Sequence, residues 1–264
     1  MSPSDRSTVP EPEVPPPAAR IPFRPGRALR ALRALLRDPD DTEKAIDVFY
    51  AIGPNSFERQ FQRLLRSRAG RCLLAARPSL AGALGDRDTL ERLPAGSLGR
   101  AYLAYLDRNG FETTGLLALN HRVAARWERD EGIPPLDPAR AWFRDRSILV
   151  HDLFHVLTDY PTDDVGEATL LAFSQAQLPG RAQLLLLAGA TQALVRARGW
   201  RALGNVVAAW RRGRRATWLP AQPWEQLLAL PLDTVRTLVG VSDALEAHPR
   251  GVPSGTVAPR SSHA

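Results

Sequence analysis

Apolar residues recur at helical spacing through most of this 264-residue chain, and that pattern constrains the fold more than any other feature. The alternation of β-branched and polar residues that is typical of strands is missing. The sequence therefore predicts an all-α fold, arranged as a single compact multi-helix domain. The predicted helical segments are 27–37, 41–52, 56–66, 98–108, 115–131, 138–160, 164–178, 182–198, 202–212, 224–228 and 232–239.

Proline and small polar residues dominate the two ends of the chain. Segments of this composition cannot bury enough apolar surface to offset the conformational entropy that ordering removes. We therefore expect a disordered proline-rich tail at residues 1–22 and a flexible tail at residues 246–264. Residues 23–245 between them form the predicted helical domain.

The net charge of +7 would suit a nucleic acid or an anionic membrane. Lys44 is the only lysine, however, and such an arginine bias is typical of a GC-rich genome, so we expect no nucleic-acid partner.

Cys72 is the only cysteine, which excludes an internal disulfide and a multi-cysteine zinc site and fits a reducing compartment. The sequence shows neither an apolar run of roughly 18 residues, as a membrane span needs, nor a secretory signal. We expect a cytoplasmic chain.

Two histidines and an aspartate on one predicted helix carry the clearest chemistry. A helix advances by about 100° per residue, so His151, Asp152 and His155 share one face. The two histidines lie one turn apart, close enough to bind the same metal ion. Pro161 must end this helix near Tyr160, because proline disfavours helical geometry in the residue before it.

The next helix begins near Asp164 and must return antiparallel after so short a connection. With a rise of about 1.5 Å per residue, His155 and Glu167 lie roughly 7 Å and 5 Å from the turn. Glu167 can thus complete the site, and Gly166 leaves room for close approach of the helices. Two imidazoles with one or two carboxylates suit Zn²⁺ and equally Fe, Co or Mn. We expect Zn²⁺, with the other three as alternatives. Asp152 is either a ligand or a residue that orients a histidine.

Two other metal-dependent classes have related patterns. A metalloprotease helix has glutamate directly after its first histidine, where this chain has Asp152. A phosphohydrolase of the His-Asp type would add His121 and a later aspartate, Asp233 or Asp243, to the histidine–aspartate pair. That hypothesis leaves the second histidine and the glutamate without a role.

The spacing His-Asp-x-x-His, then eleven residues, then Glu resembles the signature of the ubiquinone-biosynthesis family known as coenzyme Q protein four. His151, Asp152, His155 and Glu167 match it position by position. Asp159 departs from the pattern, since many members of the family are expected to have glycine there.

Flanking segments extend the resemblance to about residues 25–242. Residues 94–111 (PAGSLGRAYLAYLDRNGF) and 223–241 (PWEQLLALPLDTVRTLVGV) look like family segments, whereas the proline-rich start is not a family feature. The resemblance implies a ubiquinone-biosynthesis protein in which the four residues of the signature are metal ligands and catalytic residues.

The resemblance allows two interpretations of that role. One is a lyase that removes the carboxylate from ring carbon one of a polyprenylated hydroxybenzoate, oxidatively if the carbon is also hydroxylated. The other is a non-catalytic scaffold that holds the biosynthetic complex and a prenylated lipid. Zn²⁺ cannot exchange electrons, so an oxidative step would need another metal or a separate oxidant. Expected partners are other ubiquinone biosynthesis proteins, the prenylated quinone precursor, the membrane surface and a second copy of the chain in a homodimer.

A long isoprenoid tail would require the protein to meet its substrate at the bilayer, so we expect peripheral association with the inner membrane. Residues 184–195, rich in leucine and alanine, either line an apolar groove or form ordinary core. A cluster of arginines between two tryptophans either binds an anionic leaflet or is a solvated face. The cluster consists of Trp210, Arg211, Arg212, Arg214, Arg215 and Trp218.

Overall fold

Helices account for all of the regular structure in residues 21–38, 40–249 and 251–255, the part of the chain that the computed structural model describes. Within those ranges the β-structure is one isolated bridge between Ser97 and Pro231, so the predicted all-α class is confirmed. The helices are α1 Pro25–Leu35, α2 Thr42–Ile52, α3 Pro54–Arg66, α4 Arg68–Ala76, α5 Leu80–Gly85, α6 Arg87–Arg92, α7 Leu98–Asn109, α8 Gly115–Glu131, α9 Pro138–Thr158, α10 Asp164–Gln177, α11 Arg181–Arg198, α12 Leu203–Arg215, α13 Trp224–Leu227, α14 Leu232–Val239 and α15 Ala244–Ala247.

Residues 1–20 and 256–264, which hold most of both predicted tails, lie outside the described residues. Within the rest of the C-terminal tail, His248 and Pro253 are buried. The domain boundaries stay predictions.

Three short helices between α3 and α7 were missed by the sequence analysis. Helices α4, α5 and α6 have six to nine residues each, too few for apolar spacing to be distinctive. The signal that could have found them is capping, since Ser67, Ser79 and Asp86 each accept a hydrogen bond from a backbone N–H of the first turn.

Helix α9 lies at the centre of the domain and is buried along most of its 21 residues. It begins as predicted, with Asp137 accepting hydrogen bonds from Ala139 and Arg140 and with Pro138 in the first turn. It ends two residues earlier than predicted, at Thr158, because Asp159 adopts the left-handed conformation with φ of 59°. Glycine suits such a position best, which gives a physical reason for the glycine expected there in the family pattern.

Helix α10 returns beside α9 after a five-residue turn. Asp163 caps it through the N–H groups of Val165 and Gly166. A Cβ on Gly166 would overlap the carbonyl of Pro161, so this glycine makes room for the turn and not, as expected, for the neighbouring helix.

Two main clusters of buried side chains hold the helices together. One joins α7, α9, α10 and α14, and the other joins α1, α2, α8 and α11. Helix α12 packs closely on α10, since a Cβ on Gly213 would overlap the carbonyl of Phe173. A cavity lined by residues of both clusters reaches the α9–α10 turn.

Candidate metal site

His155, near the end of α9, is 2% exposed, and its imidazole is fixed from two sides. Its Nδ1 lies 2.8 Å from the carbonyl oxygen of Tyr160, and the ring of Tyr105 stacks on it at 5.5 Å between centroids. A carbonyl oxygen can only accept a hydrogen bond, so Nδ1 must carry the hydrogen. In the neutral ring the lone pair is then on Nε2, which is the arrangement of a metal-binding histidine.

His151 lies one turn earlier on α9, with its ring centroid 5.0 Å from that of His155. Its Nε2 is 4.0 Å from a carboxylate oxygen of Glu167, and its Nδ1 is 3.5 Å from Oδ1 of Asp152. Burial lowers the pKa of His151, but the neighbouring carboxylates of Asp152 and Glu167 outweigh it and raise the pKa.

Glu167 stands in the first turn of α10, where it faces both histidines as the antiparallel return predicts. Its Oε1 lies 3.3 Å from Nε2 of His155. One donor atom from each of His151, His155 and Glu167 lies within 4.8 Å of the others. Asp152 stands outside this group, beside the opposite nitrogen of His151, which is the place of an orienting residue.

These three donors fit a divalent ion. Nε2 of His155 is buried, has no hydrogen-bond partner among the described residues and lies 3.3 Å from Oε1 of Glu167. A neutral imidazole nitrogen and a carboxylate oxygen this close repel each other unless a proton or a metal ion lies between them. Two imidazoles and one carboxylate are a common ligand set for Zn²⁺ that leaves a coordination position open.

The end of α9, which holds His155, has an unusual set of caps. The carbonyl of His155 accepts a hydrogen bond from the N–H of Asp159. The next three carbonyls accept from arginines: those of Val156 and Leu157 from Arg236, and that of Thr158 from Arg212. All four carbonyls that a helix end leaves without a helical partner are therefore satisfied, and two cations lie at the negative end of the helix dipole.

Neither arginine was identified as part of the site by the sequence analysis. Arg236 also pairs with Asp159, which ties the left-handed residue to α14. Arg212, expected to face a membrane or solvent, is 2% exposed and donates to the carbonyls of Thr158 and Ser242. Both arginines are far from the histidines along the chain, so no local sequence pattern indicates that they cap α9.

The cavity beside the candidate metal site has a volume of about 2500 Å³, and all four residues of the signature line it. Apolar side chains form much of its wall, among them Tyr105, Phe111, Leu116, Leu171, Leu186 and Leu194. Residues 184–195 do both things that their composition allowed, because Leu186 and Leu194 line the cavity and also belong to clusters of buried core residues. Leu184 does neither and is 56% exposed.

The residues of the phosphohydrolase hypothesis are engaged elsewhere. His121 pairs with Asp145 at 2.9 Å, Asp233 pairs with Arg236, and Asp243 caps α15. Among the described residues, the group of histidines and carboxylates close enough to hold an ion is His151, His155 and Glu167.

The arginine cluster on α12 divides between two faces. Val207, Trp210, Arg211 and Arg214 fall within about 100° of one another around the helix axis, and all four are exposed. We call these four residues the outer face of α12. Trp218, expected to belong with them, is half-buried, donates its indole N–H to the carbonyl of Gln177 and lies under Arg63. In the described part of the chain, no helix has the length and apolar character to cross a bilayer.

The sequence matches the family described as "Coenzyme Q (ubiquinone) biosynthesis protein Coq4" over residues 28–244. It is 29% identical to the mitochondrial ubiquinone biosynthesis protein coq4 of Pyrenophora tritici-repentis, across 68% of this chain and 57% of that protein. It is 30% identical to the mitochondrial COQ4 homolog of Rattus norvegicus, across 66% and 61%. The chain thus spans about three fifths of the length of these relatives.

A solved structure shares the fold. It is that of a candidate ubiquinone biosynthesis protein from Nostoc punctiforme PCC 73102, with a TM-score of 0.57 across 84% of this chain and 100% of that one. The two sequences are 20% identical, so the likeness concerns the fold alone.

Proposed function

This chain belongs to the Coenzyme Q (ubiquinone) biosynthesis protein Coq4 family, and we propose that it removes the carboxylate from ring carbon one of a polyprenylated hydroxybenzoate. The observation that carries the proposal is the position of the His151, His155 and Glu167 donors at the wall of a large, mainly apolar cavity. A polar reacting group and an apolar tail are what such a substrate combines.

In this proposal three residues of the signature bind the metal ion and the fourth orients one of them. His151, His155 and Glu167 hold the ion, and Asp152 orients His151 through its Nδ1. A bound divalent ion, Zn²⁺ first and Fe, Co or Mn as alternatives, would supply Lewis-acid polarisation of the substrate carboxylate and the adjacent oxygen. The stacked ring of Tyr105 covers His155 and keeps water from one side of it.

The reaction breaks the carbon–carbon bond between the ring and the carboxylate. Carbon dioxide leaves, the electron pair stays on ring carbon one, and that carbon takes up one proton. Hydroxylation at the same carbon would require a two-electron oxidant as an additional substrate. The chain is accordingly proposed to be a carboxy-lyase, with the oxidative form dependent on that co-substrate.

The size of the cavity supports a long-tailed substrate. Its volume of about 2500 Å³ exceeds the roughly 300–1,000 Å³ of sites for drug-sized ligands. Leu116, Leu186 and Leu194 offer the tail a surface without hydrogen-bonding groups. An isoprenoid chain transferred from lipid would lose little by entering it, because both surroundings are apolar.

The outer face of α12 is proposed to meet the membrane from which the substrate comes. Trp210 and Val207 provide apolar contact, and Arg211 and Arg214 provide positive charge for an anionic leaflet. This gives the expected peripheral association at the inner membrane a definite surface. Other ubiquinone biosynthesis proteins, and a second copy of the chain, remain proposed partners.

The second candidate function is a scaffold that holds a prenylated lipid and its biosynthetic partners without chemistry. The large cavity would serve that function equally well, since a lipid can be held there without any open metal position. The two functions differ in what they require of Glu167, which lies at the metal site and not in the apolar part of the cavity.

Glu167→Gln separates them, because it keeps the size of the side chain and removes its charge. We expect a strain that depends on this protein for ubiquinone to fail with Glu167→Gln and to accumulate the carboxylated, prenylated ring. Protein level and partner pull-down, measured in the same cells, should stay unchanged. A folded, partner-binding variant that supports normal ubiquinone levels would contradict the catalytic proposal and favour the scaffold.

A further inference from the structure

The orientation of His155 depends on a backbone carbonyl that is not part of any helix. Tyr160 supplies it, between the left-handed Asp159 and Pro161. A turn residue of this kind has no helical hydrogen bonds to hold its carbonyl, and its own N–H makes only a 3.4 Å contact with the hydroxyl of Thr158. Something else must fix where the carbonyl points.

The side chain of Tyr160 is anchored at its far end. It is 2% exposed, and its hydroxyl makes a 2.8 Å hydrogen bond with Nε2 of His248, which is 3% exposed. The two rings meet edge to face, with centroids 5.4 Å apart. The guanidinium of Arg212 lies over the same tyrosine ring at 5.3 Å.

His248 comes from the C-terminal end of the domain, 88 residues after Tyr160. It directly follows α15, and beyond it Val252 packs on the main core cluster. Pro253 is buried, and Gly255 lies beside the carboxylate of Asp163, the cap of α10. The C-terminal segment therefore crosses the outside of the turn that joins the two helices of the metal site.

We propose that His248 is a positioning residue for the metal ligand His155 and acts through Tyr160. His248 holds the phenol, the phenol fixes the peptide unit, and the peptide carbonyl fixes the Nδ1–H tautomer and the ring plane of His155. The inference rests on the proposed metal site in one respect, since it takes the lone pair that these contacts aim to be the one that binds the ion.

The nature of the contact suggests how to test it. His248→Phe keeps the ring volume and removes the hydrogen bond, and Tyr160→Phe removes the same bond from its other end. His248→Gln is the conservative variant, because an amide can both donate to and accept from a phenol. Tyr50→Phe is a matched control, since it deletes a tyrosine hydroxyl that contacts Asn120 at 3.4 Å.

The first readout is the affinity for Co²⁺, measured by chelator competition and by the visible absorption spectrum of the bound ion. Loss of a partner outside the ligand set costs about 10–100-fold in metal affinity, and His248 acts one contact further away. We therefore expect a loss of roughly threefold to tenfold in His248→Phe and in Tyr160→Phe. His248→Gln and Tyr50→Phe should stay within about twofold of wild type.

The double variant tests whether the two residues act through one contact. If they do, His248→Phe with Tyr160→Phe should lose no more affinity than either single change. If the two losses of metal affinity multiply in the double variant, the residues act separately, and that result would overturn the proposed chain of contacts. Wild-type affinity and spectrum in a folded His248→Phe would overturn the inference directly.

The second readout needs no metal. Nitrogen-15 NMR of the histidine side chains in metal-free protein should show His155 as the Nδ1–H tautomer, with the N–H protected from exchange. We expect His248→Phe to weaken that protection and His248→Gln to retain it. If wild type binds no Co²⁺ at all, the proposed metal fails, and this comparison decides the positioning inference alone. If His248→Phe does not fold, Tyr160→Phe carries both measurements.

Discussion

The turn between α9 and α10 and the outer face of α12 use arginines from the same short stretch of sequence in opposite ways. At the turn, Arg212 is buried and donates to backbone carbonyls at 2.7 and 2.8 Å. One residue earlier, Arg211 is exposed, and Arg214 lies over Trp210 at 5.1 Å. The difference shows that neighbouring arginines can serve a structure and a surface, and that composition alone does not distinguish them.

Helical geometry explains the division. Arg212 lies about 140° around the axis from Val207, so it points toward α9 when Val207 faces outward. Its charge lies against the carbonyl of Thr158 at the negative end of α9. Arg211 and Arg214 lie within about 40° of Val207 and point away from the domain.

The largest expected effect concerns the proposed metal site itself. His155→Ala removes the buried donor that the turn holds in place, and we expect Co²⁺ or Zn²⁺ affinity to fall about a thousandfold, beyond the 10–100-fold that an outer partner costs. Metal analysis of the purified protein and chelator competition measure it. His121→Ala, which breaks only the exposed pair with Asp145, should leave the affinity unchanged. Stoichiometric metal in His155→Ala would refute the assignment, and loss of metal in His121→Ala would revive the phosphohydrolase hypothesis.

A smaller effect distinguishes the two arginine environments. Arg212→Met keeps much of the side-chain volume but leaves the carbonyls of Thr158 and Ser242 without donors, so we expect the free energy of unfolding to fall by about 2–4 kcal/mol. Arg211→Met should change it by less than about 0.5 kcal/mol, because that side chain is on the surface. Urea unfolding of both variants at pH 7 gives the comparison. Equal losses would mean that the buried cap contributes no more than a surface charge.

Much of the site could be predicted from sequence because its elements are close along the chain. Helical phase placed His151 and His155 on one face, and the forced return at Pro161 brought Glu167 opposite them. The supports of the site could not be found in this way. Arg236 and His248 lie 77 and 88 residues from Asp159 and Tyr160, their partners, and no periodic pattern connects positions so far apart.

Asp159 shows the same limit in a different form. The sequence marked it only as an exception where glycine was expected. In the structure Asp159 has a φ of 59°, which glycine would adopt without strain, and this explains the expectation of glycine. The carboxylate of Asp159 forms an ion pair with Arg236, which glycine could not form. The carboxylate of Asp159 holds Arg236, which caps the end of α9, and a pattern of residue types does not reveal this role.

The smallest expected effect concerns the outer face of α12, and it tests whether its arginines serve a membrane at all. Each arginine near an anionic leaflet contributes about 1 kcal/mol, so Arg211→Ala with Arg214→Ala should weaken vesicle binding by at most about 2 kcal/mol, roughly thirtyfold. The interaction should also weaken with salt, since the screening length falls from about 10 Å at 0.1 M to about 3 Å at 1 M. Flotation with vesicles containing anionic lipid, at low and high salt, measures both effects.

Arg122→Ala with Arg129→Ala is the control, because it removes the same charge from the exposed side of α8. If both double variants lose binding equally, net charge and not the outer face is responsible, and if wild type ignores anionic vesicles, the face is only solvated. If the control still binds vesicles and the α12 variant does not, Arg211 and Arg214 bind the membrane, whereas Arg212 stabilises the turn.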